Sequence, residues 1–109
     1  LYLNDRWKDE YNGQLELWNK DMTECVVKVY PRFNRLVIFE TDSNSYHGLP
    51  EPLACPENMA SKSMAWYFYT SNGTEPENKH STMFQKRPSD KTTPEIEDLR
   101  KLRNKGRIN

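Results

Sequence analysis

Residues 24–40 read Glu-Cys-Val-Val-Lys-Val-Tyr-Pro-Arg-Phe-Asn-Arg-Leu-Val-Ile-Phe-Glu. Residues 24–30 are rich in β-branched side chains and fit a strand. Pro31 ends it, because proline has no N–H to give to a ladder. Residues 35–40 are a short, continuous apolar run of the kind expected for a strand buried on both faces. Asn34 and Arg35 fall in the turn before that run and are read as structural.

The same punctuation continues on both sides. Residues 1–4 read as the end of a strand, and Asn4-Asp5 begins a turn carrying Trp7. Asn12-Gly13 is a strong turn signal. Leu15-Glu16-Leu17-Trp18 then reads as a strand, and Asn19-Lys20-Asp21 turns the chain again. Residues 41–46 are a polar loop, and the proline-marked segment 47–52 has room for a brief strand only. Residues 61–70, Ser-Lys-Ser-Met-Ala-Trp-Tyr-Phe-Tyr-Thr, read as the last strand. Alternation puts Ser61, Ser63, Ala65, Tyr67 and Tyr69 on one face, and Lys62, Met64, Trp66 and Phe68 on the other. Short strands with a turn signal every ten residues or so predict an all-β sandwich or barrel, a jelly roll being one such solution.

Residues 71–93 are polar and predict a loop or linker. Asn72-Gly73-Thr74 matches a glycosylation acceptor, which only a secreted protein would use. A short helix is expected over 94–105. Thr93 is a good N-cap, Pro94 suits the first position, and Glu95 and Glu97 suit the first turn. Ile96, Leu99 and Leu102 share a face, and Gly106 can end the helix.

The 109 residues allow one domain with a small core. Sixteen basic and sixteen acidic side chains cancel, which gives no general drive toward nucleic acid or anionic membrane. No run approaches a membrane span, and no signal peptide is visible. Cys25 and Cys55 lack the spacing of a zinc site and read as reduced thiols in a cytoplasmic setting, with a single disulfide as the alternative. The chain begins Leu1-Tyr2-Leu3, inside an apolar run, as a fragment of a longer chain would.

Several pieces, taken in order, resemble one family. Leu1-Tyr2-Leu3-Asn4, Trp7 and Asn12-Gly13-Gln14-Leu15-Glu16-Leu17-Trp18 are similar to the "YLN–W–GGxLxLW" stretch of the Fe(II)- and 2-oxoglutarate-dependent dioxygenases, prolyl 4-hydroxylase-like group. Residues 31–39 resemble their "PxxNRLVxF" strand, Ser45-Tyr46-His47 their "SxH", and residues 61–70 their closing "RKSxAxYYYT". The resemblance implies a double-stranded β-helix, or jelly roll, of which residues 1–70 supply about the last six core strands. It also implies Fe(II) and 2-oxoglutarate, with ascorbate in support, and hydroxylation of a second substrate, a prolyl residue or a small molecule.

Such enzymes hold iron with two His and one carboxylate. His47 matches the distal His. The other two ligands come from an HxD motif upstream of the "YLN" strand, so residues 1–109 alone are expected to be inactive. A lone loop histidine is otherwise a surface residue, and His80 lies in the polar tail. For 2-oxoglutarate, Tyr2 and Ser63 match hydroxyls that reach its distal carboxylate. Ser61 stands where the family has an Arg, which removes a charge-assisted fork. Lys62 replaces it if a bulge turns it inward; otherwise Lys62 is a solvated strand lysine. Trp7, Trp18, Trp66 and Phe39 read as core.

Two other readings stay open: a non-catalytic jelly-roll module derived from this family, and a plain β-sandwich interaction domain. Open strand edges would favour a homo-oligomer. No nucleic acid or membrane partner is expected.

Overall fold

Asn12 and Gly13 both take positive φ, 58° and 76°, and turn the chain out of a short 3-10 helix (Asp9–Tyr11) into the first strand. A side chain at 13 would be strained, since a Cβ there would sit 2.8 Å from Leu53 and 3.3 Å from the Trp7 ring. In the computed structural model, which describes residues 1–42, 44–68 and 82–105, this strand is β1 (Leu15–Trp18). It is the centre of an antiparallel sheet of order β2-β1-β3, with β2 at Cys25–Val29 and β3 at Tyr46–Gly48.

The β1–β2 turn is closed by one side chain. Asn19 Oδ1 accepts from the N–H groups of Thr23 (2.8 Å) and Glu24 (3.2 Å), while its amide donates to Thr23 Oγ1 (2.8 Å). Asparagine offers a turn the hydrogen bonds that the backbone lacks there. Leu15 faces Val29, Leu17 faces Val27, and a bulge after Leu17 sets Trp18 opposite Cys25. On β3, Leu17 faces His47 and Trp18 faces Tyr46.

A second, smaller ladder surrounds Tyr2. Its N–H donates to Arg35 O (2.9 Å), and its carbonyl accepts from Asn34 N–H (2.9 Å). Two residues therefore oppose one, and Asn34 has φ 59°, so this is a β-bulge whose first residue is left-handed. On the other side, Leu3 N–H donates to Lys62 O (3.0 Å) and Met64 N–H to Leu1 O (2.9 Å), which leaves Tyr2 and Ser63 directly opposed. Buried Asn4 joins both sides. Its amide donates to Pro31 O (2.8 Å), and its oxygen accepts from Lys62 N–H (2.5 Å). Trp7, Leu15 and Pro31 are buried apolar side chains.

The strands expected over 1–4, 35–40 and 61–70 shrink to single bridges at Tyr2, Arg35 and Ser63. The described residues thus form a three-stranded sheet and this ladder, not six core strands. The apolar run is not buried on both faces, because Leu36 is 59% and Ile38 82% exposed. Phe39 and Trp66, read as core, are exposed as well. High β-propensity cannot supply a ladder where no neighbouring backbone lies alongside. Tyr69, Thr70, Asn72-Gly73-Thr74, His80 and Gly106 lie outside the described residues. Cys25 and Cys55 form no disulfide with one another.

The C-terminal part forms a separate unit. Its helix α1 (Pro94–Lys105) starts where the sequence places the cap. Thr93 Oγ1 accepts from Ile96 N–H (3.4 Å), and hydrogen bonding by Thr93 holds the Glu95 carboxyl below its usual range. Glu97 pairs with Arg100, and Asn104 exchanges hydrogen bonds with the Phe84 backbone. The Ile96, Leu99 and Leu102 face is exposed, and no described helix is long and apolar enough to cross a membrane.

Replacing Asn4 with Ala orphans a buried carbonyl and a part-buried N–H. It is expected to cost about 2–4 kcal/mol in chemical denaturation. Thr93→Ala is expected to weaken α1 by about 1 kcal/mol, read as faster amide exchange in its first turn.

Candidate active site

Tyr2 organises one half of the site. Opposed residues in an antiparallel ladder project to the same face. Ser63 and Arg35, its neighbours on either side, therefore share the Tyr2 face. The Tyr2–Ser63 pair is of the non-hydrogen-bonded kind, with α-carbons about 4.5 Å apart, and the hydrogen-bonded side is wider, about 5.5 Å. The row Arg35–Tyr2–Ser63 thus spans about 10 Å. Tyr2 is half-buried, and burial pushes its phenol above the usual tyrosine value, so the hydroxyl is a neutral donor near pH 7. Arg35 is also half-buried. Its Nη1 donates to Tyr30 O (3.0 Å), and it pairs with no carboxylate among the described residues.

Ser61 is exposed. Lys62 alternates away from Ser63 and lines a pocket of about 190 Å³ with Leu3, Asn4, Trp7 and Met59. Tyr2 is not part of that pocket.

His47 is the middle residue of β3. It shares a face with Leu17, its partner on β1, and its exposed ring lies 4.9 Å from the Phe39 ring, tilted by 58°. Phe39 follows Arg35 by four residues on the run leaving the bulge. The contact therefore links the segment that carries Arg35 to the strand that carries His47. The other face of β1 carries a polar cluster. Glu16, 1% exposed, accepts from Trp18 Nε1 (2.9 Å), and its Oε1 lies 3.3 Å from Lys28 Nζ.

Sequence reasoning singled out His47, Tyr2, Ser63, Ser61 and Lys62. Of these, the structure brings Tyr2 and Ser63 together. It adds Phe39 beside His47 and Arg35 beside Tyr2, neither of which local patterning marks. The signal for Arg35 would have been the bulge, since Asn34 is a residue that tolerates positive φ.

The donor sets differ in what they fit. Two hydroxyls and a guanidinium on one face suit a carboxylate. No group of three or more His, Cys, Asp or Glu side chains gathers among the described residues, so these do not by themselves fit ferrous iron.

The family model described as the 2OG-Fe(II) oxygenase superfamily matches residues 1–70. No curated protein and no solved structure matches the chain. The matched span takes in every residue of the Tyr2 row, together with β1, β2 and the His47 strand. On that match, covering well over half its length, the chain belongs to the 2OG-Fe(II) oxygenase superfamily.

Proposed function

We propose that residues 1–70 are part of an oxygenase domain that uses Fe(II), dioxygen and 2-oxoglutarate to hydroxylate a second substrate, with prolyl 4-hydroxylase-like chemistry on a protein or peptide residue. Overall, 2-oxoglutarate is oxidatively decarboxylated to succinate and CO₂. One atom of dioxygen enters succinate, and the other enters the C–H bond of the substrate. The family match implies both cofactors. The observation that supports carrying the reading to particular residues is the direct pairing of Tyr2 with Ser63 across the ladder, which puts both residues on one face. His47 is proposed as one iron ligand, with the other two supplied from outside the described residues.

A second reading, a non-catalytic module on the same scaffold, has its own support. His47 is exposed, as a surface histidine with no ligand role would be.

Succinate formation by the full-length protein, supplied with Fe(II) and ascorbate, separates the two. Turnover is expected, and His47→Ala is expected to reduce it at least about 100-fold, since losing a ligand group of a metal centre removes much of its affinity. An unimpaired His47→Ala enzyme would remove that residue from the iron site, and an inert full-length protein that stays folded would favour the non-catalytic module.

A further inference from the structure

Arg35 stands out among the cations of the described residues. Arg32 forms a two-bond pair with Asp9, Lys28 is tied to Glu16, and Arg87 and Arg100 are each paired to a carboxylate one helical turn or less away. Arg35 is half-buried and makes its hydrogen bond to a neutral backbone carbonyl, through one of its five N–H groups. A guanidinium partly withdrawn from water with no counter-ion is a standing invitation to an anion. The ladder places half-buried Tyr2 and exposed Ser63, two hydroxyl-bearing residues, next to Arg35 on the same face.

We propose that Arg35 binds the distal carboxylate of the 2-oxo acid co-substrate, on the face it shares with Tyr2 and Ser63. This rests on the oxygenase reading and adds the source of the positive charge. Position 61 carries a serine, which gives a neutral hydrogen bond at most, and Lys62 lines a pocket on the other side of the segment. Arg35 reaches the row from the opposite side of Tyr2, on a different segment from position 61, because the bulge at Asn34 brings its backbone into register with Tyr2. The bond from Nη1 to Tyr30 O fixes one corner of the guanidinium and leaves the remaining N–H donors for the ligand.

The test compares two acids by calorimetry on the full-length, metal-loaded protein under nitrogen, where no turnover occurs. The first is 2-oxoglutarate, and the second is 2-oxobutyrate, which keeps the 2-oxo acid end and lacks the distal carboxylate. The wild-type protein should prefer the dicarboxylate. Arg35→Gln should weaken 2-oxoglutarate binding by about 10–100-fold, the usual range for a charged hydrogen bond, and leave 2-oxobutyrate within about two-fold. Lys62→Met should change neither. Adding Ser61→Arg to Arg35→Gln should restore the preference by returning a cation to the same carboxylate from the other side. Arg35→Lys, which retains the charge should the Gln variant unfold, should keep a reduced preference. If Arg35→Gln discriminates between the acids as well as wild type, or if Lys62→Met abolishes discrimination, the assignment is overturned while the oxygenase reading stands. A wild-type protein that binds neither acid overturns both.

Discussion

The buried amide of Asn4 holds the Tyr2 ladder together. It gives one hydrogen bond to the carbonyl of Pro31 and takes one from the N–H of Lys62, so a single side chain fastens two segments that are 31 residues apart in the chain. Each such bond contributes only about 1 kcal/mol net, but an unmet buried partner costs about 1–3 kcal/mol. The clamp is therefore worth more as a constraint than as a contact. It fixes where the backbone of residues 1–3 lies relative to the segments on either side, and hence which side chains meet across Tyr2.

The strand β1 does comparable work for the other half of the site. One face carries Glu16, sequestered with the Trp18 indole and the Lys28 ammonium, and the other carries Leu17 toward His47. Period-two alternation cannot bring a charged cluster and a metal-ligand candidate to the same side of that strand. The polar cluster keeps its carboxylate engaged, and the Leu17 face is left with the imidazole and the Phe39 ring.

The parts of this architecture legible in the sequence were those written locally. The Asn12-Gly13 turn, β1, β2 and the Thr93-Pro94 helix start each depend on a few adjacent residues. The proline-marked segment 47–52 has room for a brief strand, and β3 takes its first two residues together with Tyr46 from the expected loop. The apolar run over 35–40 misled because hydrophobicity reports a preference for burial, not the presence of a neighbour, and Leu36 and Ile38 stay exposed. The closing segment failed the same way, with Ser63 its single paired residue. Arg35 reads as part of a structural turn, and the turn ends on a bulge whose second residue is paired with Tyr2. Such a pairing joins positions 33 residues apart, and no local pattern specifies it.

The bulge at Asn34 also sets a phase. Because two residues are spent opposite Tyr2, the side that Arg35 takes depends on the number of residues in the turn before it. A one-residue deletion between Pro31 and Asn34 would invert that assignment. Residue 35 would then leave the face of the ladder that it shares with Tyr2. In this chain the length of a short connector works as a kind of spelling: it encodes which side chain stands beside Tyr2.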